Sequence, residues 1–198
     1  MTKPYVHASA FVADDAELGP GTKVWHFAQV REGAKIGADC VLGKGVYVGE
    51  GVTIGSRVKI QNNASIYSGA TVEDGVFVGP HVCFTNDRYP RAINPDGSIK
   101  GADDWDIGTI LVRSGASLGA GAVLVAGITV GRWALVAAGS VVTRDVADHE
   151  LVAGSPARRI GHVCVCARQL SEESGDKLAC RHCGRTYLCS ADGSVKET

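Results

Sequence analysis

The stretch VWHFAQ VREGAK IGADCV LGKGVY VGEGVT IGSRVK IQNNAS, residues 24–65, decides the fold. Every sixth residue (Val24, Val30, Ile36, Leu42, Val48, Ile54, Ile60) is a large aliphatic. Four places after each stands a small or short residue: Ala28, Ala34, Cys40, Val46, Val52, Val58, Ala64. Extended outward in the same phase, the register runs from Val6 to Tyr89 and resumes from Val112 to Ala147, twenty hexads in all. Every first position is Val, Leu, Ile or Phe, and Arg88 is the one fifth position that is not Ala, Val, Thr, Ser, Cys or Ile. Side chains alternate along a strand, so an inward pair can be buried while its neighbours face water. Glycine recurs at the second and fourth positions, where sharp corners need permissive backbone. Three hexads close a triangular turn of about 18 residues, and stacked turns form a parallel β-helix of about six and a half coils. An antiparallel sandwich also alternates, but its strands do not hold one phase for so long.

Bulk composition narrows the class. The chain has 198 residues, 45% apolar content, 26 glycines and a formal net charge of −1. That is enough chain for one main domain, read here as residues 1–160, with a small appendage, residues 161–198. A near-neutral surface gives no basis for bulk binding to nucleic acid or an anionic membrane. No apolar run approaches the roughly 20 residues that span a bilayer. The opening MTKPYVHASA lacks the apolar stretch of a secretion signal, so a cytoplasmic location is expected.

The repeat breaks once. Residues 90–111, PRAINPDGSIKGADDWDIGTIL, carry no register, which makes a long loop inserted at one corner. Loops of that length in compact domains usually carry function, the plain alternative being a surface decoration.

This pattern resembles the hexapeptide repeat of left-handed parallel β-helix proteins, most of which are acyltransferases. The left hand is what the resemblance implies, because the general rule for parallel crossovers favours the right. The expected fold is therefore all-β: a left-handed parallel β-helix with a long inserted loop at 90–111 and a small Cys-rich C-terminal tail. Three segments, VWHFAQVREGA (24–34), KIQNNASIYSG (59–69) and VGPHVCFTNDRYPR (78–91), look like nucleotide-sugar N-acetyltransferases that acetylate a 3-amino sugar. The likeness is strongest to those acting on UDP-2-acetamido-3-amino-2,3-dideoxy-glucuronate in bacterial surface-polysaccharide synthesis; those acting on dTDP-3-amino-3,6-dideoxyhexoses share much of it. It implies acetyl-CoA as co-substrate and a homotrimer with sites between subunits, the long loop reaching to a neighbour. A γ-type carbonic anhydrase is disfavoured: His26 and His81 fall on one face three coils apart, roughly 14 Å at the strand spacing. An O-acetyltransferase would want a paired His, and a non-catalytic metal-binding or scaffold β-helix is the rival from another class.

Acyl transfer to an amine needs an acceptor held with its lone pair toward the thioester and a route for its proton. By carry-over from the family motif, Asn86 takes the orienting role. Asp87 beside it is a proton acceptor or an Asx turn into the loop. His26 is the candidate base, since imidazole titrates near neutrality, or a packed corner residue beside Trp25. Gln61, Asn62, Asn63 and Tyr67 form a polar cluster for the nucleotide sugar. Arg31, Lys59, Arg88 and Arg91 are the cations for phosphate or carboxylate. For coenzyme A, the small residues of 118–140, including Gly119, Ala120 and Ala138, leave room for a pantetheine arm. The segment Val152–Arg158 resembles the end of the β-helix in acetyl-CoA-dependent relatives, and Arg158 with the adjoining Arg159 suits the cofactor's phosphates.

The tail stands apart. Cys164-x-Cys166 and Cys180-x2-Cys183 are separated by thirteen intervening residues, with Gly184 following, the pattern of a small four-cysteine zinc ribbon. One spacer rather than two in the first pair departs from the usual ribbon, and Cys189 and His182 are reserve ligands.

Overall fold

In the computed structural model, described for residues 2–190 and 193–198, the hexads become twenty short strands coiled around a triangular prism. The first face stacks strands beginning at Tyr5, Lys23, Val41, Lys59, Phe77, Ser117 and Leu135. The second face stacks those beginning at Phe11, Gln29, Tyr47, Ser65, Cys83, Val123 and Val141. The third stacks those beginning at Glu17, Lys35, Thr53, Ala70, Ile110 and Ile128. Every neighbour within these faces is parallel and in register, Ser65 opposite Tyr47 and Cys83, for example. The architecture is the left-handed parallel β-helix.

The inward set is the one the hexad names. First-position residues Val24, Leu42, Ile60, Val78, Leu118 and Val136 stack down the core at 0% exposure. So do fifth-position Thr22, Ala28, Ala34 and Cys40. In the first coil Val6 is 40% exposed.

The two glycine positions have different causes. Fourth-position residues turn the corner in the left-handed region, which glycine enters freely and other L residues enter at a cost. Phe27, Asp39, Arg57, Asn63, His81 and Trp133 nonetheless adopt it, with φ between 56° and 60°. Second-position glycines have no such φ. A Cβ on Gly37 would lie 2.6 Å from the Gly55 carbonyl carbon, and one on Gly119 would lie 2.4 Å from the Ala138 nitrogen. Glycine is there because the next coil lies too close, which corrects the expectation that both positions serve the turn.

The insertion lies earlier in the chain than its sequence boundaries suggest. Ile110–Val112 pairs with Ala70–Val72 on one side and Ile128–Val130 on the other. Ile110, 2% exposed, therefore fills the fifth-position slot that the hexad count gave to Arg88. Arg88 is a loop residue, exposed at the prism edge rather than an intrusion into the core. The loop closes on itself through an Ile93–Ile99 bridge and a short 3-10 turn at Ala102–Asp104.

Beyond the last full coil, Glu150–Gly154 stacks on Leu135–Val136 and folds back antiparallel as Ala157–His162. A four-stranded antiparallel sheet follows: Ser171–Ser174, Lys177–Ala179, Thr186–Cys189 and Val195–Glu197. It has its own small core of Cys164, Leu170, Leu178, Cys180, Tyr187 and Val195. Among the described residues no helix is long and apolar enough to cross a membrane.

Candidate functional site

The candidate residues sort onto the two corners that flank the second face. On the corner joining the first and second faces lie His26 in the second coil, Gln61–Asn63 in the fourth, His81 in the fifth, Gly119 and Ala120 in the sixth, and Ala138 in the seventh. On the corner joining the second and third faces lie Arg31 in the second coil, Tyr67 in the fourth, and Asn86 with the long loop in the fifth. Lys59 projects from the first face and is exposed.

Asn86 is held by the neck of the loop. Its carbonyl accepts from the Gly108 amide at 2.8 Å, and Gly108 has no room for a side chain because a Cβ would lie 2.6 Å from that of Ala126. Just before it, the Thr85 hydroxyl donates to the Leu124 carbonyl at 3.1 Å and accepts from the Ala126 amide at 3.0 Å. With its backbone fixed in this way, the Asn86 side chain stays half-buried at the corner. Asp87 makes the Asx turn, its Oδ1 accepting from the Tyr89 amide at 2.7 Å. Arg88 Nη1 reaches the Ala126 carbonyl at 3.5 Å and latches the loop to the next coil. Arg91 donates to the Pro90 carbonyl at 3.1 Å and is exposed. Within the loop lies a recess of about 380 Å³, lined by Asp87, Arg88, Tyr89, Lys100, Trp105 and Asp106 among others. That volume is within the range of small-ligand sites. Lys100 and Trp105 were not singled out from sequence; the clue was a tryptophan and a lysine inside a register-free loop.

His26 stands elsewhere. Its ring stacks on His7 with centroids 3.5 Å apart and a tilt of 29°, and it lies parallel to Trp25 at 6.2 Å. Tyr5 meets Trp25 at 5.5 Å, so an exposed aromatic strip runs along the first two coils. Within one chain, His26 and Asn86 are three coils and one corner apart. The His26–His81 spacing holds as expected, since both lie on the first corner three coils apart.

The amide run has structural work. Asn62 Oδ1 accepts from the Lys44 amide of the coil below at 2.9 Å, and Asn63 occupies the left-handed fourth position at φ 60°. Asparagine is among the few residues that tolerate that region. Gln61 joins the ladder through its backbone, its amide donating to the Val78 carbonyl at 2.8 Å. Tyr67 packs against Tyr47, centroids 5.4 Å apart, and stays 41% exposed. Arg31 is tied to Glu32 at 2.7 Å in a half-exposed pair; the Glu32 hydrogen bond, then its charge, raises the guanidinium pKa further.

At the far end of the prism, Gly119, Ala120 and Ala138 present bare backbone, and the Gly139 amide donates to the Ala120 carbonyl at 2.8 Å. Arg158 and Arg159 extend from the Ala157–His162 strand and are exposed. Arg158 Nη1 donates to the Ala157 carbonyl at 2.9 Å.

In the tail, the sulfurs of Cys164, Cys166, Cys180 and Cys183 all lie within 4.8 Å of one another. Cys164 and Cys183 approach to 3.4 Å and Cys166 and Cys180 to 3.5 Å. Four thiolates on one zinc, each at about 2.3 Å in a tetrahedron, stand about 3.8 Å apart, so the quartet fits that ion. The reserve ligands Cys189 and His182 are outside it. The Arg185 amide, then its guanidinium, draws the Cys183 thiol down to about 6. The Arg168 amide favours the Cys166 thiolate, but desolvation and the three neighbouring sulfurs outweigh it and push that thiol up to about 12. Four crowded thiols oppose joint ionisation, which a divalent cation reverses.

Residues 15–86, in three overlapping windows, match the bacterial transferase hexapeptide family, and residues 114–144 match the hexapeptide repeat of succinyl-transferase. Together these span more than half of the chain. The chain belongs to the hexapeptide-repeat transferases. Among curated members, it is 47% identical over 90 residues to dTDP-3-amino-3,6-dideoxy-alpha-D-galactopyranose 3-N-acetyltransferase of Aneurinibacillus thermoaerophilus, covering 46% of this chain and 45% of that one. It is 29% identical over 101 residues to galactoside O-acetyltransferase of Lactococcus lactis, 49% of this chain and 44% of that one. The chain thus spans less than half the length of these hexapeptide-repeat relatives. Among solved structures, a hexapeptide-repeat acetyltransferase from Vibrio cholerae complexed with acetyl-CoA superposes with a TM-score of 0.56 at 26% identity, covering 66% of this chain and 70% of that one.

Proposed function

We propose that this hexapeptide-repeat protein transfers acetyl from acetyl-CoA to the 3-amino group of a nucleotide-linked amino sugar. The observation that carries the reading is the 47% identity to an enzyme named for that reaction on a dTDP-linked sugar. It is joined to the placement of the motif residue Asn86 at the neck of the long loop, next in sequence to Asp87 and Arg88, which line a ligand-sized recess. In the reaction, the neutral amine attacks the thioester carbon, the carbon–sulfur bond breaks, and the thiolate of coenzyme A leaves while the nitrogen sheds a proton. Asn86 accepts a hydrogen bond from the amine and points its lone pair at the thioester. His26 takes the proton, contributed by a neighbouring chain of a homotrimer, because its own chain holds it three coils away. Gln61, Tyr67, Arg88 and Lys100 are the groups for nucleotide and sugar. Backbone at Gly119, Ala120 and Ala138 lines the pantetheine arm, and Arg158 and Arg159 meet the phosphates of the cofactor.

The named relative favours the dTDP-linked 3-amino-3,6-dideoxyhexose over UDP-2-acetamido-3-amino-2,3-dideoxy-glucuronate in this reading of the acceptor. Thiol release from acetyl-CoA, followed with both sugars and with a simple galactoside, tests the order. Turnover with the galactoside alone would move the chain to O-acetyl transfer. The cysteine quartet is read as a structural zinc site, and metal analysis of the purified protein should give about one zinc per chain.

A further inference from the structure

The cysteine tail is fastened to the element that carries Arg158 and Arg159, by two separate routes. The first runs through His149, where the chain leaves the last coil. His149 is 8% exposed, and its amide donates to the Arg132 carbonyl at 2.8 Å. Its carbonyl accepts from the Val163 amide at 2.8 Å. Its Nδ1 lies 2.9 Å from the Val163 carbonyl, which can only accept, so that nitrogen carries the proton. The His149 ring meets Tyr187 edge-on at 5.2 Å. Tyr187 is wholly buried in the tail core, and its hydroxyl donates to Cys164 Sγ at 3.2 Å and accepts from the Val165 amide at 3.3 Å. The second route joins the strand itself: His162 Nε2 lies 3.2 Å from the Gly193 carbonyl. The Arg159 guanidinium packs on Gly193 so closely that a Cβ there would be 2.4 Å from Nη1.

The tail cannot hold this arrangement by apolar burial. Its core has six buried residues. Units below about 40 residues usually need a metal, disulfides or association to fold. Its cysteines are free, and four of them form the quartet. A bound zinc would fix Cys164, hence Tyr187, hence the packing on His149 and the root of the hairpin.

We propose that the four-cysteine site is a metal-dependent clamp on the 150–162 hairpin, so that zinc occupancy sets the grip of Arg158 and Arg159 on a phosphate-bearing cofactor while leaving the acetyl-transfer corner untouched. This rests on the zinc and cofactor readings above. Tyr187 and His149 act as positioning residues, since neither reaches the cofactor.

The test compares the purified full chain, the same protein stripped of zinc by a chelator, the stripped protein with zinc returned, and Cys180→Ser. Three quantities are read: zinc per chain, amide hydrogen exchange, and the Kd for coenzyme A by calorimetry. Stripping and Cys180→Ser should speed exchange across 149–162 at least tenfold, leave residues 24–84 unchanged, and weaken coenzyme A binding at least fivefold. Returned zinc should restore the stripped protein and not Cys180→Ser. Tyr187→Phe, which keeps the ring and loses the hydroxyl, should bind zinc and show a partial form of the same loosening. Zinc that binds, and whose removal changes neither exchange nor Kd, overturns the clamp while the metal site stands. A chain that takes up no zinc overturns both. If the intact protein does not bind coenzyme A, the cofactor reading fails, and exchange at 149–162 alone decides the clamp.

Discussion

The amide of Gly108 donates to the carbonyl of Asn86 at 2.8 Å, and this bond ties the two ends of the inserted loop together. The corner that bears Asn86 is therefore fixed by backbone, independently of its side chain. Replacing Asn86 by alanine should leave folding nearly unchanged and lower kcat/KM for the amino sugar about 100-fold or more, the usual scale for a lost proton-handling or orienting group. A steady-state assay alongside a thermal melt checks it. A large fall in Tm with a proportionate fall in activity would make Asn86 a structural residue only.

His26 and Asn86 lie on different corners and three coils apart, so one chain cannot bring them to one amine. If both serve the reaction, they come from different subunits. Asn86→Ala and His26→Ala chains, each impaired alone, should regain activity when unfolded together and refolded as mixed oligomers, since some sites then pair two intact residues. Mixed samples no more active than the average of the two parents would remove His26 from the site and leave it as the stacking partner of His7.

The two kinds of glycine should respond differently to alanine. At Gly37 a Cβ would collide with the Gly55 carbonyl carbon at 2.6 Å, and that backbone has no flexible end to give. At Gly51, with φ 66°, nothing lies within 4 Å, and only the left-handed conformation is penalised. Urea unfolding should show a loss of about 1 kcal/mol for Gly51→Ala and of about 2–3 kcal/mol for Gly37→Ala. Equal losses would mean that the second position is also a conformational requirement.

Glu73 joins two coils at the third corner, accepting from the Ser114 hydroxyl at 2.6 Å and its amide at 2.9 Å. Those bonds, the hydroxyl first, hold its carboxyl below the usual range; Arg132 at 3.8 Å is half-exposed and adds little. The folded pKa lies under the unfolded one, so this stabilisation is present above the unfolded value and is lost as pH falls through the folded one. Glu73→Gln should therefore flatten the decline in stability between about pH 6 and about pH 3. An unchanged decline would assign the acid sensitivity to other carboxylates.

The coil was legible because its inward residues recur at fixed spacing, and first-position Val24 to Val136 are buried as that spacing demands. The 18-residue arithmetic also grouped His26 and His81 three coils apart, on one face by count and on the adjoining corner in the structure. What escaped the sequence depends on contacts between coils. Any cut between Phe84 and Val112 satisfies the hexad count, and only the pairing of Ile110 with Ala70 and Ile128 puts the loop ahead of Arg88. Asn62 and Asn63 read as an unusual polar run, yet one caps the Lys44 amide and the other fills a left-handed corner. Spacing proposed which four cysteines meet; it did not reveal that Tyr187 and His149 join them to the hairpin of Arg158 and Arg159.

The most direct measurement is product analysis after incubating the protein with acetyl-CoA and a dTDP-linked 3-amino-3,6-dideoxyhexose, with the UDP-linked 3-amino-hexuronate as second acceptor. Mass spectrometry and proton NMR should find one acetyl group in amide linkage at C3, formed in step with free coenzyme A. No acetylated nucleotide sugar from either acceptor, with a folded and coenzyme A-binding protein, would contradict the account.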